Sequence, residues 1–184
     1  MTARAIVHVA LFAAIIGALG LMPPIAVPFV PVPITAQTLG VMLAGAILGP
    51  RRGALAVILF VALVAAGLPL LAGGRGGLAV FASPTVGFLV GFIPGAFVTG
   101  LLVDRFWRNL NVATAFAAAA LGGVVTVYLF GIPGLALVTG MSLPQAAAAT
   151  LAFVPGDLIK AGVAAVIVMS VRRGYPAIRE GAAA

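Results

Sequence analysis

Two opposite charges, Asp157 and Lys160, stand inside an otherwise apolar run at residues 155–171. Their i, i+3 spacing puts both on one face of a helix. An ionisable side chain at the centre of a membrane helix costs several kcal/mol, so such a residue faces a partner or a cavity. Pro155 and Gly156 precede the pair and suit a helix start, which sets Asp157 in a first turn where the helix dipole favours an anion. A carboxylate there can accept N–H bonds, and an ammonium beside it can donate to an oxygen. That is the chemistry of a polar ligand site. The same pair also suits a structural ion pair that only fixes helix packing, and both readings stand at this point.

Three further residues carry polar groups near predicted helix ends. Arg75 sits in Gly73-Gly74-Arg75-Gly76-Gly77, where flanking glycines let the backbone move and approach a ligand closely. It reads either as a gate holding a guanidinium for a carboxylate or as a solvated loop arginine. Tyr128 and Gln37 are each placed to line a pocket or simply to sit at the interface.

Other chemistries lack their parts. The one lysine, Lys160, lies between Ile159 and Ala161, so no phosphate-binding Gly-Lys-Ser/Thr loop is present. With one histidine (His8), three acids and no cysteine, no metal site, thiol nucleophile or disulfide is expected. Asp104 and Asp157 fall in different predicted environments, which disfavours a membrane aspartyl protease. No chain of intramembrane carboxylates suggests an ion relay. Either transport is passive, or its energy comes from partner subunits.

The elements that position these residues follow from composition. Of 184 residues, 64 % are hydrophobic and 7 % charged, with a mean hydropathy of +1.30. A soluble domain carries about 25 % charged residues, so lipid must be the main solvent here. The net charge of +7 comes in short clusters between apolar runs, as the positive-inside rule demands, and not as the continuous basic face of a nucleic-acid binder. A span needs about 20 apolar residues, and six runs qualify: residues 5–22, 34–49, 53–72, 84–103, 112–132 and 155–171. The first continues to Pro23-Pro24 without a small-residue cleavage site, so it reads as a retained helix and not a signal peptide. The fold expected is an all-α, six-helix polytopic membrane bundle forming a single domain over residues 1–184, with a short outer-side helix before the last span.

Residues 134–154 are also apolar, and charge decides whether they form a seventh span. With six spans, Arg4, Arg51, Arg52, Arg105, Arg108, Arg172, Arg173 and Arg179 share one side, against Arg75 on the other. A seventh span would divide the arginines five against four. The rule therefore favours six spans with both termini cytoplasmic, and Ser142 and Pro144 open an outer helix. Residues 23–33 hold five prolines and cannot form a regular helix. Small residues recur every fourth position at Ala10, Ala14 and Ala18 and at Gly87, Gly91 and Gly95, a spacing that lets helices approach closely in lipid. For the alanines, packing within the chain and docking of another membrane subunit are both open.

Three stretches carry a family resemblance: PVPITAQTLGVMLAGAILGPRRGALAVILFVALVAAGLPLLAGGRGG (31–77), SPTVGFLVGF (83–92) and FVPGDLIKAG (153–162). In order and spacing they resemble the biotin-specific substrate-binding subunit of energy-coupling-factor transporters, the BioY family, and the likeness covers nearly the whole chain. The resemblance implies a six-helix bundle in the bacterial inner membrane, biotin as transported ligand with no cofactor, and no catalytic activity. It implies a pocket near the outer face closed by loops, and energy supplied by a membrane coupling subunit and ATPase subunits. It implies that the small face of the first helix, here Ala10, Ala14 and Ala18, docks the membrane partner. Asp157 would then accept from the ureido N–H groups of biotin, and Lys160 would donate to the ureido oxygen or the carboxylate. Arg75 would be a second partner for the carboxylate, with Tyr128 and Gln37 as further lining. The rival readings are a subunit for another small vitamin, a membrane enzyme, and a ligand-free assembly subunit.

Overall fold

The computed structural model describes residues 2–28 and 30–174. Arg179, counted above toward the cytoplasmic side, lies outside them. The helices among the described residues are α1 (Ala3–Leu19), α2 (Gln37–Leu48), α3 (Pro50–Ala65), α4 (Val86–Arg105), α5 (Val112–Ala120), α6 (Val127–Thr139), α7 (Leu143–Thr150) and α8 (Val154–Gly174). A π-helical turn, Leu121–Thr126, joins α5 to α6 without a break, so residues Val112–Thr139 form one rod. A 3-10 turn, Leu151–Phe153, joins α7 to α8 in the same way. The described residues thus form a bundle of six rods. Three of them, Val86–Arg105, Val112–Thr139 and Leu143–Gly174, are long and apolar enough to cross a membrane by length and composition.

The other three are shorter, and α2 has the clearest reason. Its 12 residues reach only about 18 Å at 1.5 Å each, against a core of about 30 Å. It is buried along almost its whole length, with Val41, Met42, Ala44 and Leu48 essentially inaccessible. A helix wrapped by other helices need not meet lipid at either end. The sequence places its start at residue 34; the helix begins at Gln37, because Pro31 and Pro33 hold the preceding chain extended.

That extended chain is a two-stranded antiparallel hairpin, a departure from a purely helical reading. β1 (Ile25–Val27) pairs with β2 (Val30–Ile34), Ile25 opposite Ile34 and Val27 opposite Val30. Prolines at 31 and 33 cannot donate, which confines β2 to an edge position. Non-helical backbone at membrane depth is tolerated where it lines a cavity or is buried in protein, and β2 meets that condition.

Residues 134–154 do not form one continuous helix. Gly140 adopts φ 74°, a left-handed conformation that ends α6. The chain turns there and re-enters a helix at Leu143, capped by Ser142 and Gln145 bonding reciprocally. Helix α4 packs against α6 through glycines: a Cβ built on Gly87 would meet the Phe130 carbonyl and the Gly134 Cα, and one on Gly91 would meet Val127. Here the small-residue spacing does what it suggests in the sequence. At the opposite end from β2, Arg172 donates to the Leu110 carbonyl at 2.6 Å and lies 5.2 Å above the Trp107 ring. This fastens the end of α8 to the α4–α5 loop.

Candidate ligand site

Three elements converge on Asp157. The first two turns of α8 supply Asp157 and Lys160, which form an ion pair at 2.5 Å. The first turn of α2 supplies Thr38, whose hydroxyl donates to Asp157 Oδ1 at 3.1 Å. Helix α6 supplies Tyr128, whose hydroxyl donates to Asp157 Oδ2 at 2.6 Å. Lys160 Nζ donates to the Thr38 hydroxyl and to the Thr35 carbonyl, each at 2.7 Å. That carbonyl is free to accept because β2 has ended and α2 has not begun.

Counting donors and acceptors sharpens the picture. An ammonium has three N–H donors, and Thr35, Thr38 and Asp157 engage all of them. A carboxylate offers about four acceptor positions, and the three bonds described leave one for a ligand N–H. Asp157 is only 4 % exposed, so this group is an acceptor in a dry wall and not a solvated acid.

The pair faces a cavity, not acyl chains. Counted together with the open space at its mouth, the cavity holds about 630 Å³ of empty space. β2 and the residues after it, Val32–Thr35, form one side, and Asp157, Lys160 and Thr38 form its polar patch. Phe88, Phe92 and Phe153 give it an aromatic wall. The Phe88 ring stands edge-on to both Tyr128 and Phe153, with centroids 6.1 Å apart in each case. Such edge-to-face pairs hold rings in place.

Arg75 lies at the same cavity, on the loop between α3 and α4. Its Nε donates to the Ala72 carbonyl at 3.3 Å, and its Nη1 approaches the Thr85 hydroxyl at 3.5 Å. A guanidinium has five N–H donors, so most remain for a ligand oxygen. Gln37 also lines the cavity, and its amide is used within the fold. Its Nε2 donates to the Ile16 and Leu70 carbonyls at 3.2 and 3.0 Å, and its Oε1 accepts from the Ala72 N–H at 3.1 Å. Gln37 therefore pins the Arg75 loop to α1 and α2. The structure brings Asp157, Lys160, Tyr128, Arg75 and Gln37 to one cavity from three helices and a loop.

The sequence alone does not single out Thr38, Phe88 or Phe153. Thr38 follows Gln37 in a first helical turn, and that polar pair opening an apolar run is the signal available. Ala10, Ala14 and Ala18 lie together on an exposed face of α1, so they do not pack inside the chain. The buried face of the same helix is Val9, Phe12, Ala13 and Ile16.

Comparison with known proteins adds a name to this geometry. The model of the BioY family matches residues 1–177. A Rhizobium etli protein named biotin transporter BioY is 56 % identical over 181 residues, covering 96 % of this chain and 97 % of that one. A Rhodobacter capsulatus protein of the same name is 49 % identical, covering 94 % and 95 %. The crystal structure of the S-component for biotin from an ECF-type ABC transporter superposes with a TM-score of 0.88 at 34 % identity, covering 94 % of this chain and 95 % of that one.

Proposed function

The chain belongs to the BioY family, and from that premise we propose that it is the biotin-binding S-component of an ECF-type transporter, a transport protein and not an enzyme. Biotin is its substrate, recognised and carried unchanged, and no cofactor takes part. The observation that carries this reading is the Asp157–Lys160 pair set in the wall of an aromatic-lined cavity. Biotin presents a ureido ring with two N–H donors and one carbonyl, an apolar body and a carboxylate. One of the ureido N–H groups suits the remaining acceptor position of Asp157. The apolar body suits the rings of Phe88, Phe92 and Phe153.

The cations divide by the donors they have left. Lys160 reaches a ureido oxygen by giving up its bond to the Thr35 carbonyl. Arg75 needs no such exchange to take the carboxylate, because most of its guanidinium is uncommitted. Tyr128 and Thr38 aim the Asp157 carboxylate, and Gln37 holds the loop that carries Arg75.

In this reading the protein lies in a bacterial inner membrane with both termini cytoplasmic. Arg4, Arg51, Arg52, Arg105, Arg108, Arg172 and Arg173 then fall on the cytoplasmic side, and the cavity opens outward beside Arg75. A membrane coupling subunit docks on the Ala10, Ala14 and Ala18 face of α1, and ATPase subunits supply the energy. Calorimetry on the detergent-purified protein tests the substrate. Biotin should bind, and thiamine and riboflavin should not. Binding of thiamine or riboflavin in place of biotin would move the site to another vitamin.

A further inference from the structure

Among the described residues, five hydroxyl side chains in the helices bond back to backbone carbonyls four or five residues earlier, and one of them is out of step. Thr99, Thr139, Thr150 and Ser170 each donate to the carbonyl four residues earlier, at 2.6–3.0 Å. That is the ordinary back-bond of a helical hydroxyl. Thr126 donates instead to the carbonyl five residues earlier, Leu121, at 2.9 Å. The extra residue is the π-helical turn Leu121–Thr126, and Thr126 is its last member.

The turn is built into the packing. Gly122, Gly123 and Val124 are all buried, three in succession, where a regular helix would carry the third away from the face of the first. No side chain fits at either glycine. A Cβ on Gly122 would strike the Thr99 hydroxyl and backbone N, and one on Gly123 would strike Met42. The turn is thus wedged against α4 and α2, and π turns of this kind often occur at functional sites. Two residues beyond it is Tyr128, whose hydroxyl reaches Asp157 at 2.6 Å. At 3.6 residues per turn, removing the extra residue would rotate everything downstream by about 100°, taking the Tyr128 hydroxyl away from Asp157.

We propose that the π turn, latched by the Thr126 hydroxyl on the Leu121 carbonyl, is the device that positions Tyr128 against Asp157, making Thr126 a positioning residue of the ligand site. Thr126 does not line the cavity, whereas Val127 and Tyr128 just after it do, so Thr126 acts on the ligand only through the start of α6, and the Tyr128→Phe background below isolates the part carried by Tyr128. The inference rests on the proposed biotin site only for its binding readout.

The test uses the full chain in detergent and two readouts. Thr126→Val keeps the side-chain shape and removes the donor. The chain has two tyrosines, Tyr128 and Tyr175, so 3-fluorotyrosine labelling gives two ¹⁹F resonances, assigned by Tyr128→Phe. Without any ligand, Thr126→Val should shift or broaden the Tyr128 resonance and leave that of Tyr175 in place. By calorimetry, Thr126→Val should weaken biotin binding about three- to tenfold in the wild-type background and by less than twofold in the Tyr128→Phe background. An unmoved Tyr128 resonance, or equal losses in both backgrounds, overturns the proposal. If the wild-type protein does not bind biotin, the functional reading fails, and the ¹⁹F result still decides the positioning role.

Discussion

Lys160 and Thr38 meet at 2.7 Å, ammonium to hydroxyl, and this contact ties the second turn of α8 to the first turn of α2. Thr38 accepts from Lys160 and donates to Asp157, so it relays between the two charges as well as bridging two helices. Thr38→Val removes both bonds and keeps the volume. The lost hydrogen bonds to charged groups are each worth about 1.5–3 kcal/mol, and partial rearrangement recovers some of that. Biotin affinity should fall by about tenfold in calorimetry, with the helical content unchanged by circular dichroism.

Asp157→Asn should act more severely. Removing one member of a buried, hydrogen-bonded charge pair costs about 3–5 kcal/mol, because the other charge is left uncompensated. Biotin binding should drop by at least about a hundredfold, and the apparent melting temperature in detergent should fall. The double variant Asp157→Asn, Lys160→Met should regain thermal stability and still not bind biotin. Wild-type affinity in Asp157→Asn would remove the ureido assignment.

Arg75→Gln separates the two cations. If Arg75 holds the biotin carboxylate, the variant should bind biotin about ten- to a hundredfold more weakly, a loss of about 1.5–3 kcal/mol for a charge-assisted bond. It should bind biotin methyl ester no worse than the wild type does. A variant that loses ester and acid equally would hand the carboxylate to Lys160.

The α4–α6 crossing gives a stability prediction. A Cβ on Gly134 would lie 2.5 Å from the Gly87 Cα, and both are backbone, so neither side can yield without the helices moving apart. Overpacking of this kind costs about 1–3 kcal/mol or more. Gly134→Val should lower the melting temperature measurably, and it should weaken biotin binding too, because Phe88 and Tyr128 ride on these two helices. Gly162→Ala is the control: a Cβ there would meet no atom within 4 Å, so the variant should melt at or slightly above the wild type.

The sequence is most legible where physics makes a residue costly. Asp157 and Lys160 stand out because lipid rejects a lone charge, and the structure puts them on the cavity wall. The five prolines before Ile34 rule out a helix there, yet hydropathy does not separate an apolar strand from an apolar helix, so α2 starts later than its apolar run does. Thr38 is hidden for a different reason. A membrane threonine ordinarily bonds to its own helix, as Thr99 and Thr139 do, and nothing local shows that this one reaches across to α8. The π turn has no periodic signature, and only Gly122-Gly123 hints that the wall is crowded. The outward face of α1 is likewise undecided in the sequence, since small residues at every fourth position serve inner and outer contacts equally.

That outward face supports the last prediction. Ala10, Ala14 and Ala18 are exposed along one side of α1, and Ile6, Val7 and Leu11 beside them are 51–63 % exposed. Lipid alone would accept larger side chains there. A smooth small-residue stripe matters when a second helix must come within backbone distance. Ala14→Trp adds bulk at the centre of the stripe and touches nothing in the cavity. Biotin binding to the purified protein should therefore stay within about twofold of the wild type, while ATP-driven biotin uptake with the coupling and ATPase subunits, and co-purification with the coupling subunit, should be lost. Full uptake by Ala14→Trp would move the docking surface to another face of the bundle.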